Sequence, residues 1–287
     1  MNARTYGKRG RKGALVFATA LLFFGLGAIV LWTSTFKVPD LESLEQRKVT
    51  ESTKIYDRTG KVLLYDVFSN IKRTVVSVDE ISRHIKNATV AIEDSEFYEH
   101  RGIKPTAIIR AVLVNIGTLG FSQGGSTITQ QVVKNSILTT EKRVSRKLKE
   151  WVLALKLERM MSKEKILEFY LNETPYGGSI YGVEEASQAF FGKSSKDVTL
   201  AEAAYLAALP QAPSYYSPYG QNSEALEERK NLVLKRMLED KFISEEEYEA
   251  ALAEKADFEP RSDTGIKAPH FVQFVRKYLE EKYGKDA

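Results

Sequence analysis

The chain has 287 residues, of which 43% are hydrophobic and 28% charged, and its formal net charge is +4. This length and hydrophobic content suffice for one large or two small cores, and they exclude a disordered chain. The absence of cysteine excludes disulfides, thiolate nucleophiles and sulfur-ligated zinc, and the three histidines lie too far apart in sequence to form a local metal motif. Because basic and acidic residues are interspersed and the basic excess is mild, we expect no nucleic-acid partner.

Residues 13–36 contain no charged side chain, and their apolar run is long enough to cross a bilayer as a helix. The tail 1–12 before this run is rich in lysine and arginine, whereas acidic residues follow it. By the positive-inside rule, the tail is expected in the cytoplasm and the rest of the chain outside. A cleaved signal peptide is the alternative, but the run is longer than the usual apolar part of such a peptide and no persuasive cleavage site follows. The sequence therefore favours an uncleaved membrane anchor.

A small β-element is predicted after a polar stalk at 37–51. Two β-type runs, 54–56 and 62–65, flank the turn sequence Asp-Arg-Thr-Gly at 57–60, and residues 73–78 are expected to add a third strand. The pattern then becomes helical, so the chain is predicted to be mainly α with this small β-element.

The helical part begins at Asp79, which we expect to be an N-cap. The clearest amphipathic helix spans 146–161, with Arg146 and Glu150 one turn apart on a shared face. Its expected core positions are Leu148, Trp151, Val152, Leu155 and either Arg159 or Met160. Further helices are predicted over 223–239 and after Ser244, which opens a capping-box sequence.

Three sequence blocks carry the chemistry of the chain, at 93–102, 123–131 and 146–150. They supply two separated carboxylates, Glu93 and Glu150, with a cationic, Gly-rich segment between them. Removing a proton from a hydroxyl while expelling a phosphate needs an anionic base and positive charge at the leaving group. Taken alone, Glu93 also fits a solvated surface residue and Glu150 a routine surface ion pair with Arg146.

The Gly-Gly pair at 124–125 precedes Ser126 and allows a tight turn into a helix N-terminus, whose free N–H groups suit an anionic ligand. An ordinary N-cap is the alternative interpretation, and both can hold together because capping and phosphate binding use neighbouring groups.

In their order and spacing, these blocks resemble the signature motifs of the peptidoglycan glycosyltransferase family, the membrane-bound module of class A penicillin-binding proteins. A fourth block at 165–173, continued at 181–184, extends the resemblance to roughly residues 50–285. The resemblance implies a lysozyme-like glycosyltransferase domain over 52–260. It also implies a hydrophobic jaw at about 103–125 that dips into the membrane, with Ile116, Leu119 and Phe121 as lipid contacts.

The same resemblance assigns roles to individual residues. It makes Glu93 the general base and Glu150 the second carboxylate, which orients cations or a divalent ion, Mg²⁺ or Mn²⁺, around a diphosphate. Lys142 stands where several relatives carry arginine, and Glu185 where relatives often carry alanine. The substrate-binding residues implied are Asp94, Ser126, Thr127, Gln130, Gln131, Lys134, Lys142, Arg146, Lys147 and Asn172.

The implied activity joins a lipid-linked glycan to lipid II through a β-1,4 bond, with inversion and release of undecaprenyl diphosphate. Its expected setting is the bacterial cytoplasmic membrane, crossed once with the catalytic domain outside, beside other wall-synthesis proteins. No Lys-Thr-Gly occurs, so no transpeptidase is expected in this chain. Residues 261–287 resemble the start of a linker toward that domain, which points to a piece of a bifunctional enzyme, although a monofunctional one also fits.

Two rival functions remain open at this point. A membrane-anchored glycan hydrolase also uses carboxylates, but it has no need for a cationic phosphate site. A non-catalytic scaffold for wall synthesis has no reason to keep both Glu93 and Glu150.

Overall fold

The computed structural model describes residues 53–67, 72–106, 125–136, 144–260 and 267–283, with a few positions between 17 and 35. These residues are mainly helical with two small sheets, which confirms the prediction of a mainly α chain with a small β-element. The helices described are α1 (Arg83–Glu93), α2 (Ile128–Ser136), α3 (Val144–Met160), α4 (Lys163–Glu173), α5 (Val183–Phe191), α6 (Leu200–Ala208), α7 (Ser223–Glu239), α8 (Glu245–Ala253) and α9 (Pro269–Tyr283).

The first sheet is the predicted hairpin, in which β1 (Thr53–Tyr56) pairs antiparallel with β2 (Leu63–Val67). Asp57 shapes the turn, because its carboxylate accepts hydrogen bonds from the Thr59 hydroxyl and from the backbone N–H groups of Lys61 and Val62. The predicted turn at 57–60 is therefore confirmed, and its aspartate stabilises it as such residues commonly do.

The prediction that 73–78 adds a third strand to this hairpin is wrong. In this stretch only Lys72–Arg73 forms a strand, β3, which pairs in parallel with β5 (Ile180–Tyr181). Strand β5 in turn pairs antiparallel with β4 (Pro175–Gly177). The ladder ends at Arg73, and at Val76 the backbone N–H and C=O are both bound by the side chain of Asn172 instead of by a strand.

The predicted N-cap at Asp79 is also wrong. Ser77 instead precedes a short 3₁₀ turn, Val78–Glu80, and forms a capping box with Glu80. Ser82 then caps α1 by accepting a hydrogen bond from the backbone N–H of His84. Two serine caps in quick succession begin the helical part of the chain.

Helix α3 lies where it was predicted, but its buried face is different. Leu148 is 40% exposed, and Trp151, Val152 and Leu155 are only part-buried. The buried stripe is made by Glu150, Leu153, Ala154 and Leu157, and Met161 continues it just past the end of the helix. Apolar residues surround most of this helix, so their spacing did not identify the core side, and the buried stripe includes a carboxylate.

The core centres on α6, whose residues from Ala201 to Ala208 are all buried. Small alanine side chains let α1 and α7 pack closely on this helix, and α7 also packs on α1. A second group forms where α2 packs against α3 and α4. Helix α7 has the predicted bounds, and the predicted capping box at Ser244 is present before α8.

Several predictions concern residues outside the described ranges. The stalk at 37–51, most of the span at 13–36 and most of the jaw lie there. Within the residues that are described, no helix has the length and apolar character needed to cross a membrane. In the stretch predicted as the start of a linker, 269–283 form α9, and the N–H of Lys267 donates to the C=O of Leu64 in the hairpin.

Candidate active site

Glu93 is the last residue of α1, and its side chain is part-buried. Gln131 Nε2 of α2 donates a hydrogen bond to Glu93 Oε2 at 2.7 Å. Burial raises the pKa of Glu93 above its ordinary value, and the charge of Asp94 adds to this, while the Gln131 bond and the positive charge of Arg229 oppose it. A carboxylate in this setting accepts a proton more readily than a solvated one, as a general base must.

Two buried tyrosines, Tyr170 of α4 and Tyr176 of β4, are near enough to Glu93 to respond to its charge. Burial, with a further contribution from Glu93, raises the pKa of both phenols. They therefore remain protonated at neutral pH and add no charge beside the carboxylate.

Asp94 is 3% exposed, and both of its oxygens are bound within the protein. Its partners are His100 Nε2 at 3.0 Å, Lys104 Nζ at 2.9 Å and the backbone N–H of Ile128 at 3.0 Å. Burial alone would raise the pKa of Asp94, but the bonds from His100 and Lys104 outweigh it and hold that pKa below its usual range. Asp94 thus ties the end of α1 to the first turn of α2, where a negative charge is favoured.

The N-terminus of α2 is closed by a reciprocal cap. The N–H of Thr127 donates to Gln130 Oε1 at 2.8 Å, and the N–H of Gln130 donates to Thr127 Oγ1 at 3.2 Å. The Thr127 hydroxyl also donates to the C=O of Gly102 at 2.6 Å. Both side chains are buried, so their polar groups fix the helix start against the first block rather than projecting into solvent.

A cationic centre surrounds the second carboxylate. Glu150 is 3% exposed, Lys147 Nζ lies 2.8 Å from Glu150 Oε2, and Arg146 Nε lies 3.4 Å from Glu150 Oε1. The same Lys147 ammonium donates to Ser126 Oγ at 2.7 Å, which joins α3 to the loop before α2. A buried carboxylate needs positive charge beside it, and Glu150 in turn holds the side chains of Arg146 and Lys147 in place.

Lys134 is exposed, three residues after Gln131 on α2. Side chains at this spacing share a helix face, so Lys134 lies on the side of α2 that meets Glu93. The structure therefore places a basic side chain one turn from the partner of the predicted base.

The described residues do not form a metal cage around Glu150. Within these ranges, no three His, Asp or Glu side chains converge in a way that could hold a metal ion. Both oxygens of Glu150 already face cationic side chains. The described residues around Glu150 thus do not fit a protein-bound Mg²⁺ or Mn²⁺.

Asn172, predicted to bind substrate, has its amide engaged inside the protein. Its Oδ1 accepts from the N–H of Val76 at 3.0 Å, and its Nδ2 donates to the C=O groups of Val76 and Glu168, both at 2.9 Å. These bonds fix the segment after β3 on α4. The predicted contacts Lys142, Ile116, Leu119 and Phe121 lie outside the described residues.

Two groups of residues near the site were missed from the sequence. Lys104 could have been recognised as a cation following the acidic pair of the first block, but Arg229 lies on a distant helix and no local pattern marked it. A second network was also missed: Lys163 Nζ binds Glu158 Oε1 and the C=O of His100, both at 2.7 Å, and lies 4.4 Å from the Phe97 ring centroid. These contacts hold the loop of the first block against α3 and α4.

The comparisons with known proteins identify the family of the chain. A family model described as Transglycosylase matches residues 61–238, and the chain belongs to this family. The resemblance found in the motifs is thereby confirmed.

The curated relatives are longer than this chain. A penicillin-binding protein 1A from Aquifex aeolicus is 43% identical over 267 residues, covering 93% of this chain and 36% of that protein. One from Vibrio cholerae is 37% identical over 283 residues, covering 94% and 34%. The chain thus spans about a third of the length of these relatives. A crystal structure of penicillin-binding protein 1A from Haemophilus influenzae has 28% identity and a TM-score of 0.46, over 82% of this chain and 25% of that one.

Proposed function

We propose that this chain is a peptidoglycan glycosyltransferase that polymerises lipid II into β-1,4-linked glycan strands. Its membership of the transglycosylase family supports the class of reaction. One observation carries the assignment of the site, namely that side-chain hydrogen bonds bring the three separate blocks together. Gln131 of the second block binds Glu93 of the first, and Lys147 of the third block binds Ser126 of the second.

Glu93 acts as the base in this mechanism. It removes the proton from the 4-hydroxyl of the acceptor GlcNAc while that oxygen forms a bond to C1 of the donor MurNAc. The bond between C1 and the diphosphate oxygen breaks, and its electron pair leaves with undecaprenyl diphosphate. Attack on the face opposite an α-linked leaving group gives a β-1,4 product, hence inversion.

The leaving diphosphate is stabilised by positive charge. Lys134, Arg146 and Lys147 supply it from two adjoining helices, with Lys142 as a further cation from the intervening segment. Glu150 orients Arg146 and Lys147, because its carboxylate contacts both. Asp94, Thr127 and Gln130 act indirectly, because they hold the start of α2 beside Glu93.

We also propose that a divalent cation can bind with the substrate, although it takes no part in the steps given above. Since Glu150 is already compensated by two side chains, Mg²⁺ or Mn²⁺ would depend on the oxygens of the substrate's diphosphate, and no step above requires it.

The substrate is lipid-linked, so we also propose a membrane setting. Residues 13–36 would anchor the chain in the bacterial cytoplasmic membrane with the N-terminus inside. Ile116, Leu119 and Phe121 would then contact lipid, and the domain would have the lysozyme-like arrangement of the family, beside other wall-synthesis proteins.

The test compares the full chain with its Glu93→Gln variant in detergent, using labelled lipid II and separating polymer from substrate. Only the unmodified protein is expected to make polymer. Glu99→Gln is the matched control, because Glu99 is an exposed glutamate of the same block and should leave polymer formation unchanged. Shortening of added glycan strands would support the hydrolase instead, and inert but folded protein would support the scaffold.

A further inference from the structure

We propose that Thr129 of α2 and Glu158 of α3 are positioning residues for this reaction, because the hydrogen bond between them sets how α2 is turned toward Glu93. The proposal rests on the function proposed above. Thr129 lies within the second block and Glu158 lies beyond the end of the third, and neither was among the predicted site residues.

The contact between these two side chains is enclosed by the protein. Thr129 is completely buried, and its hydroxyl donates to Glu158 Oε1 at 2.5 Å. The side chain of Glu158 is 6% exposed, and the same oxygen lies 2.7 Å from Lys163 Nζ. A hydrogen bond to a charged acceptor is roughly twice as strong as one between neutral groups, so this bond holds α2 firmly against α3.

Thr129 and Gln131 lie on opposite sides of α2. Successive residues of a helix are turned by about 100°, so these two side chains are separated by about 200°. One side of the helix therefore meets Glu158, and the other meets Glu93 through the Gln131 amide. Side-chain ends lie about 5–6 Å from a helix axis, so turning α2 by about 10° moves Gln131 Nε2 by roughly 1 Å. A displacement of that size is enough to break the 2.7 Å bond to Glu93.

Two other polar contacts at the start of α2 do not control this rotation. Asp94 binds the backbone N–H of Ile128, and the N–H groups at the start of a helix point along its axis. Lys147 binds Ser126, which precedes the helix. Both contacts fix where α2 begins. Glu158 instead holds a side chain that projects sideways from the first turn, so this contact resists rotation of the helix.

Glu158 is itself held to the first block. Lys163 Nζ donates to Glu158 Oε1 and to the C=O of His100, both at 2.7 Å. A Cβ added at Gly102 would lie 3.0 Å from Glu158 Cγ, so the end of the first block fits closely around this side chain. The acceptor oxygen is thus fixed relative to the loop that follows α1.

Substitutions at position 129 separate positioning from stability. Thr129→Val keeps the shape of the side chain and removes the hydroxyl, while Glu158 retains its ion pair with Lys163. Thr129→Ala removes the hydroxyl in a second way, so that one folded variant suffices. Thr129→Ser keeps the hydroxyl and loses a buried methyl group, which lowers the unfolding temperature.

Steady-state polymerisation of lipid II is measured on these variants. Because Gln131 acts on the base in the transition state, kcat should fall about 10-fold in Thr129→Val, with KM little changed. Thr129→Ser should keep most of its kcat although it is less stable. Thr199→Val is the matched control, because Thr199 donates to Glu254 Oε1 at 2.6 Å between α6 and the end of α8, and it should leave kcat unchanged.

A second measurement does not depend on activity. The side-chain amide of Gln131 is followed by ¹⁵N NMR in the full chain in detergent micelles, and its signal is assigned by its loss in Gln131→Leu. The signal should shift in Thr129→Val and Thr129→Ala, and it should stay in place in Thr129→Ser and Thr199→Val. An unchanged signal in a folded Thr129→Val or Thr129→Ala protein would overturn the positioning role.

Combining Thr129→Val with Gln131→Leu tests whether the effect passes through the Gln131 amide. If it does, the double variant loses little more kcat than Gln131→Leu alone. Additive losses, or a kcat that follows the unfolding temperature across Thr129→Val and Thr129→Ser, would also overturn the positioning role. A shifted signal in a chain whose unmodified form never makes polymer would instead overturn the proposed function, leaving the coupling between the two sides of α2 in place.

Discussion

Glu93 and Asp94 are adjacent carboxyl residues whose pKa values the fold moves in opposite directions. Burial raises the pKa of Glu93, whereas hydrogen bonds from His100 and Lys104 outweigh burial at Asp94 and lower its pKa. The fold thus destabilises the anion at Glu93 and stabilises the anion next to it. Because of this contrast, the stabilities of Glu93→Gln and Asp94→Asn should change in opposite directions, which tests the separate roles of the two carboxyl groups.

At neutral pH, Glu93→Gln should stabilise the protein slightly while abolishing polymer formation. A carboxyl whose pKa is raised by folding costs stability once the pH exceeds its ordinary value of 4.5, and glutamine removes that cost. Thermal unfolding midpoints at several pH values measure the effect. A midpoint clearly below that of the unmodified protein at neutral pH would contradict a desolvated base.

Asp94→Asn should behave in the opposite way and lower the unfolding midpoint at neutral pH. Its ionised form is favoured by folding, so its contribution is present above the ordinary pKa of 3.8 and is lost as the pH falls through the lower folded value. The gap between variant and unmodified protein should therefore close in acid. A gap that stays constant with pH would show that Asp94 stabilises by packing alone.

Removal of the Gln131 amide should weaken catalysis through the same carboxylate. A hydrogen bond to a charged group contributes about 1.5–3 kcal/mol, so Gln131→Leu is expected to lower kcat/KM by roughly 10- to 100-fold. Steady-state polymerisation of lipid II measures this loss. Asn135→Leu, on an exposed position of the same helix, provides the control, and equal losses in both variants would indicate general damage to α2.

The sequence predicted local features of the fold better than long-range ones. The caps and turns at Ser244 and Asp57 were readable because their partners lie within five residues. The pairing of β3 with Ile180–Tyr181 was not, because a two-residue strand leaves no pattern and its partner lies more than a hundred positions away.

The site was predictable to the extent that its motifs are continuous. The blocks identified Glu93, Gln131, Lys147 and Glu150, whose contacts the structure then displays. The motifs did not distinguish residues whose side chains are available to a substrate from residues that hold the structure together. Asn172 is an example, because its amide donates to backbone C=O groups of the protein. Arg229 lies more than a hundred positions from Glu93, so no local pattern could associate its charge with that carboxylate.

Gly102 should be more sensitive to substitution than an equally strained glycine elsewhere. Its φ is +86°, and an added Cβ would lie 2.9 Å from the C=O oxygen of Ala154 on α3. Gly102→Ala combines backbone strain with overpacking and should cost roughly 2–4 kcal/mol of unfolding free energy. Gly60→Ala is the control, because Gly60 has a φ of +71° but nothing within 4 Å of an added Cβ, and it should cost only about 1–2 kcal/mol. Equal losses in chemical denaturation would exclude the clash with α3.

Glu185, a buried carboxylate, should stabilise the packing of the β1–β2 hairpin against α5. Glu185 of α5 lies 2.6 Å from Lys54 Nζ of β1 and accepts a hydrogen bond from the Thr74 hydroxyl at 3.0 Å. Since alanine removes an anionic partner of a part-buried lysine, Glu185→Ala is expected to cost about 1.5–3 kcal/mol in chemical denaturation. Lys54→Met should also destabilise, but the double variant should lose less than the sum of the two, because each single variant already removes the ion pair between these side chains. Strictly additive losses would mean that the two side chains contribute independently and that the hairpin is held by its other contacts.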